Sequence, residues 1–186
     1  MNNSKNGHHE VMRAEVPGPV FGKVVAKLKN TAQILYIIYL TMFVIFAVIL
    51  WLCGMPIFDS IITAMGGAGT GGFAVYNDSI AHYHSDLITY VVTVGTLLFG
   101  VNFNLYFYIL LRKIKFFFQD EELRTYFAIV AISTGLIFLN IFGIYHNLAD
   151  SFKYSFFEVS TIITTTGFGL TDITKWPLFS QYILLL

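Results

Sequence analysis

Two short stretches of this 186-residue chain carry oxygen atoms in a pattern suited to holding an alkali-metal cation. One is TIITTTGFGL, Thr161 to Leu170, and the other is AMGGAGTGGFAV, Ala64 to Val75. Glycine adopts backbone angles that other residues resist, so successive carbonyls in such a stretch can be turned toward one axis. Carbonyls arranged in that way replace the hydration shell of a monovalent cation. Threonine hydroxyls add oxygen ligands or brace the loop. Neither stretch has a carboxylate between Gly66 and Phe73 or between Thr164 and Phe168, so dipoles alone would meet the charge. The candidate residues are Gly69, Thr70, Gly71 and Gly72 in the first, and Thr164, Thr165, Thr166 and Gly167 in the second. Phe73 and Phe168, which follow, are expected to buttress the loops rather than touch an ion.

Something must hold these loops at membrane depth. The chain is 56% hydrophobic and only 12% charged, with a mean hydropathy of +0.68, against about 25% charged residues in soluble domains. The apolar residues fall in blocks that approach or exceed the roughly 20 residues a spanning helix needs. Ile34 to Leu52 has no charge, and runs near 87–111 and 125–145 follow. Two shorter helix candidates, 58–65 and 152–163, come after the first and third of these runs, each leading into a Gly/Thr stretch. The tail from Leu178 is about half the length needed to cross. Pro17-Gly18-Pro19 marks a turn before a possible interfacial helix over 20–29.

The order is spanning helix, short helix, Gly/Thr loop, spanning helix, and then the same again. Phe73 and Phe168 are 95 positions apart, and that offset places Thr70 on Thr165, Gly72 on Gly167 and Asn77 on Asp172. A repeat of this length fits the pseudo-symmetric units of channels and transporters, not a solenoid. One such loop alone would serve equally to let two helices pack closely; two with matching endings in matching slots point to paired re-entrant loops lining water. Each short helix would aim the negative end of its dipole at the axis, which favours a cation.

Lys5, Arg13, Lys23, Lys27 and Lys29 precede the first span, and Arg112, Lys113, Lys115 and Arg124 lie between the second and third. The loop from Gly54 to Asp86 has neither Lys nor Arg. The positive-inside rule therefore puts the N-terminus and the 112–124 connector in the cytoplasm and both loops outside, although Lys153 and Lys175 run against it.

Other polar residues have plainer expected roles. Asn102 and Asn104 in an apolar run face either a pore or a neighbouring helix. Glu158, on the second short helix, either attracts cations or pairs with a lysine elsewhere, the pair being the expected role. Asp59 is expected to cap its helix rather than bind an ion. Asp78 and Asp172 either draw cations to the mouth or are solvated. Cys53 reads as a small buried apolar residue. The five histidines lack the companions of a metal site. No nucleophile–base pair, P-loop or GxGxxG appears, so nothing points to an enzyme or to nucleic-acid binding.

The chain resembles the Trk/Ktr/HKT superfamily of potassium transporters, most closely its bacterial TrkH type. The resemblance lies in MRAEVPGPVFGK (Met12 to Lys23), AGTGGFAVYNDSI (Ala68 to Ile80), LLFGVNFNLYF (Leu97 to Phe107) and TTTGFGLTDITKWP (Thr164 to Pro177). It implies an all-α integral membrane fold of helix–pore-loop–helix repeats, with Gly72 and Gly167 matching the family's filter glycines. It also implies K⁺ uptake without a cofactor, a bacterial inner-membrane location, a dimeric subunit and a cytosolic, nucleotide-binding, TrkA-like regulatory ring. Four repeats form a family subunit. The expectation here is a fragment with a lead-in over 1–32, a complete repeat over 33–111, a connector over 112–124 and a truncated repeat over 125–186. Conducting K⁺ is the first reading; a non-conducting piece without a complete pore is the alternative.

Overall fold

The computed structural model describes residues 20–112 and 114–185, with only the backbone for residues 20–31 and 116. The chain divides into two compact units, Met1–Tyr36 and Ile37–Leu186. The lead-in motif before Val20 lies outside the described residues.

Every regular element among the described residues is helical. Helix α1, Val20–Leu52, has no break where a separate interfacial helix was expected. It ends at Gly54, whose φ of +96° reverses the chain. Its stretch Ala32–Leu52 is apolar enough to cross a bilayer, and residues such as Ile37, Val44, Ile45 and Leu52 are exposed. An apolar helix that stays exposed belongs in lipid, because only there does the exposure cost nothing. Helix α2, Ile57–Ala68, is longer than its apolar run and carries Gly66 and Gly67 in its last turn. Asp59 does not cap it: Pro56 holds that position, and the Asp59 carboxylate accepts a hydrogen bond from Tyr83 Oη at 3.0 Å instead.

The second apolar run is not one helix. It breaks into α3, Asp86–Phe99, and α4, Phe103–Leu110, which are bent 89° apart. Asn102 supplies the local reason. Its side chain caps α4 by accepting the Asn104 N–H at 3.0 Å, and its amide donates to Glu122 Oε2 at 3.1 Å. Tyr106 and Tyr126 donate to the Leu98 and Leu97 carbonyls at the end of α3, so the freed backbone acceptors keep partners. A cavity of about 460 Å³ opens beside the break, lined in part by Gly100, Asn102, Glu122, Tyr126 and Ile163. Asn104 is exposed and contributes only its backbone to this arrangement.

After the short helix α5, Ile114–Gln119, comes α6, Glu121–Tyr145, the second helix long and apolar enough to span. Asp120 caps it, accepting the Leu123 N–H at 2.9 Å, with Glu121 and Glu122 in the first turn against the positive end of the dipole. Asp120→Ala is expected to cost about 1 kcal/mol, visible as a lower thermal midpoint in detergent; an unchanged midpoint would remove the cap from the account. Helix α7, Leu148–Ile163, is the second short helix, and α8, Leu178–Leu185, closes the described chain.

Small residues set the packing. Phe46 of α1 lies against Gly95 of α3 so closely that a Cβ there would come within 2.3 Å of its ring, and the same ring touches Gly67 of α2. Phe46, Leu50, Ala64, Val92 and Phe157 share one core cluster; Val130, Ile137, Ile141 and Val159 share another between α6 and α7. Close contact at glycine drives such association in lipid, where no hydrophobic term separates helix from tail. Ser180 donates to Asn140 Oδ1 at 2.7 Å, fixing α8 on α6. Cys53 is half-buried and free.

Candidate functional site: two paired Gly/Thr loops

The two loops share one backbone conformation. At the end of α2, Gly69 N–H donates to Met65 O, Thr70 N–H to Gly67 O, and both Gly71 and Gly72 N–H to Gly66 O. At the end of α7, Thr164 donates to Ser160 O, Thr165 to Ile162 O, and both Thr166 and Gly167 to Thr161 O. These are the same four bonds at an offset of 95. The dihedral angles repeat too: Thr70 and Thr165 have φ of +49° and +57°, Gly72 and Gly167 of +62° and +78°. Positive φ in a threonine is uncommon and costs roughly 1 kcal/mol, so two threonines at equivalent positions mark a shape that the surroundings enforce.

The chemical consequence follows from where the N–H groups go. All four amides of each loop turn back into the last turn of their helix. The carbonyls of Gly69 to Gly72 and of Thr164 to Gly167 accept no hydrogen bond among the described residues. Each loop therefore presents unpaired oxygens at a helix C-terminus, where the dipole is negative. Carbonyls left without partners at membrane depth are costly unless water or a cation meets them.

The loops also touch. A Cβ on Gly72 would lie 2.2 Å from Thr166 O and 3.1 Å from Gly167 O. Gly167 has open space beside it. Gly69, Gly71, Thr165 and Gly167 are exposed, Thr70 and Gly72 half-buried, and Thr164 and Thr166 buried. The hydroxyls of Thr164 and Thr166 bond each other at 2.8 Å, and Thr164 Oγ1 also donates to Ser160 O at 2.7 Å. These two hydroxyls brace the loop rather than face open space.

Phe168 buttresses as expected: its ring is 2% exposed and covers Gly66 and Gly67. Phe73 does not, because its ring is 75% exposed and lies over Gly71 of its own loop. Glu158 is 4% exposed and, among the described residues, pairs with no lysine; Oε1 accepts the N–H groups of Leu170 and Thr171, each at 3.3 Å. Asp78 lies beside His82, and Asp172 caps Thr174, whose hydroxyl and amide hold its carboxyl below the usual range. Neither acid enters a loop. Lys153 bridges Asp86 of α3 and Asp150 of α7, both at 2.8 Å, and so ties the starts of these two helices together. Among the described residues no cluster of three metal-ligating side chains forms. Thr161 and Ser79 were not singled out in the sequence, yet both hold the second loop's outgoing arm; their signal is Thr161's match to Gly66 at the repeat offset.

No family model matches the chain. Curated relatives do. The Trk system potassium uptake protein TrkH of Salmonella typhimurium is 32% identical over 185 residues, 96% of this chain and 38% of that protein. TrkG of Escherichia coli K12 is also 32% identical, over 97% of this chain and 38% of its own length. The crystal structure of the potassium transporter TrkH from Vibrio parahaemolyticus superposes with a TM-score of 0.81 at 30% identity, covering 86% of this chain and 35% of that one. In sequence and in fold, the chain is similar to one stretch of a TrkH-type potassium transporter. It spans about two fifths of the length of the TrkH and TrkG relatives it matches. The names of these TrkH and TrkG relatives describe potassium uptake, not an enzyme activity. The likeness to TrkH supports the all-helical membrane fold with pore-loop repeats read from the sequence.

Proposed function

We propose that this chain contributes to K⁺ uptake across the bacterial cytoplasmic membrane, with the carbonyls of Gly69, Thr70, Gly71, Gly72, Thr164, Thr165, Thr166 and Gly167 as part of the cation path. The observation that carries this is the repeat of one loop conformation, with the same bonds and the same positive φ values, in two loops that meet. Unpaired carbonyls at the negative ends of α2 and α7 suit a monovalent cation, which such oxygens can dehydrate without a carboxylate. No cofactor is needed for such a path. In this reading the N-terminus and the 112–124 connector face the cytoplasm, residues 33–111 and 125–186 are the two repeat units, and lipid surrounds α1 and α6. The working assembly is a homodimer or a subunit with further repeats, regulated by a TrkA-like cytosolic ring.

The test is growth of a potassium-uptake-deficient bacterium at low K⁺. One strain expresses this chain alone. A second expresses Salmonella typhimurium TrkH with its matching stretch replaced by this chain. Rescue in either strain that Gly167→Asp abolishes is the expected result, since a carboxylate there would sit among the carbonyls. Failure of both strains, with each protein found in the membrane, would leave the non-conducting reading.

A further inference from the structure

The arm that leaves the second loop is held by a device that the first loop lacks. We infer that Glu158 is a positioning residue: it fixes residues 168–171 and thereby keeps the Thr164–Gly167 carbonyls in place for a K⁺-sized cation. The inference rests on the reading of those carbonyls as cation ligands.

Four consecutive residues of this arm are tied down. Thr161 Oγ1 donates to Phe168 O at 3.2 Å. Gly169 donates its N–H to Ser79 Oγ at 3.2 Å, and its carbonyl accepts the Ile80 N–H at 3.1 Å. Leu170 and Thr171 both donate to the single oxygen Oε1 of Glu158. The arm is thus laced to α7 on one side and to the turn after the first loop on the other. Glu158 makes two of these ties, both to backbone amides and both through one buried oxygen, so removing its carboxyl leaves two N–H groups of the arm without an acceptor.

The first loop shows what the carboxylate is not for. At the offset of 95, Glu158 corresponds to Thr63 and Thr161 to Gly66. Thr63 has a buried hydroxyl with no hydrogen-bond partner among the described residues, and Gly66 has no side chain. The loop at 66–72 still makes the same four backbone bonds and the same positive φ values. A carboxylate is therefore not required to form the turn. The arms differ instead: Phe73, Val75 and Tyr76 are all exposed, whereas Phe168 is buried. Glu158 restrains the arm, and a restrained arm limits how far the preceding carbonyls can close around a smaller ion.

The experiment is hydrogen exchange on the full chain in lipid nanodiscs, in K⁺ and in Na⁺, comparing wild type with Glu158→Gln and Glu158→Ala. Glu158→Ala is expected to speed exchange of the peptide covering 168–173 about tenfold or more, as loss of two buried hydrogen bonds implies. The Gln variant keeps the shape and one neutral acceptor, so it should show a smaller rise and stands in if the Ala variant does not fold. The first arm, 73–76, should not change. In wild type, K⁺ should slow exchange of the second loop more than Na⁺ does, and both variants should narrow that difference. Unchanged exchange at 168–173 in both variants overturns the clamp. Faster exchange with the K⁺/Na⁺ difference intact overturns the positioning role and leaves a purely structural tie. A wild type that does not distinguish K⁺ from Na⁺ sinks the cation reading, and positioning with it, while the exchange rates still decide the clamp.

Discussion

Gly72→Ala is expected to separate the two loops and to be far more damaging than Gly167→Ala, although both glycines end a loop in the same conformation. Two costs fall on Gly72. Its φ of +62° is left-handed, worth about 1 kcal/mol against any L side chain. Its Cβ would also lie 2.2 Å from Thr166 O and 3.0 Å from the Gly167 carbonyl carbon. Both obstacles are backbone, and neither can swing aside as a side-chain end would. Relief requires moving the second loop, which is itself fixed by the bonds from Thr166 and Gly167 to Thr161 O. Overpacking of a rigid site costs about 1–3 kcal/mol or more, so the total reaches roughly 3 kcal/mol or above. Gly167→Ala meets open space and carries only the strain of φ +78°, about 1 kcal/mol. The measurement is the thermal midpoint of each variant in nanodiscs, with exchange at 164–167 as the local readout. Equal shifts in the two variants would mean that the loops do not meet as described.

The difference between these two glycines was not legible in the sequence. Thr-Gly-Gly-Phe and Thr-Thr-Gly-Phe gave the repeat, its offset and the identity of the loops, because glycine and threonine at fixed spacing are local signals. The contact between Gly72 and the Thr166–Gly167 peptide joins residues 94 and 95 apart, and periodicity carries no information about that. The break between α3 and α4 was nearer the surface of the sequence. Gly100 followed by Asn102 is a stop and a cap, a signal masked by the apolar run from 87 to 111 in which they sit. The roles of Asp59 and Glu158 failed for a shared reason. Each acid was assigned by its position along its own helix, whereas its partner, Tyr83 Oη in one case and two backbone amides in the other, arrives from a segment placed by the tertiary fold. The apolar blocks, by contrast, located both clear spans, Ala32–Leu52 within α1 and the whole of α6, to within a few residues, since a span is marked by length and composition alone.

Phe168→Ala is the second large effect, and Phe73→Ala is its built-in comparison. The two phenylalanines follow equivalent glycines, and a reading by motif gives them equal weight. Phe168 is 2% exposed, belongs to the core cluster with Phe46, Ala64 and Phe157, and rests on Gly66 and Gly67. Those glycines leave room for the ring and little else: a Cβ on Gly66 would already be 3.2 Å from Phe168 Cζ. Truncation leaves a void that backbone cannot fill, because Gly66 O is engaged by two loop amides. Phe→Ala in a packed site costs about 3–5 kcal/mol; within a bilayer the lost term is mainly dispersion, which places the expectation near 3 kcal/mol. Phe73 has three quarters of its surface free, so its truncation in this chain should change stability by about 0.5 kcal/mol or less. The two loops should respond differently as well. Removing Phe168 frees the end of α2, so the first loop, which its ring supports from across the repeat, should exchange faster than the second. Faster exchange at 164–167 alone, with 69–72 unaffected, would show that Phe168 serves its own loop and that the support does not cross between repeats.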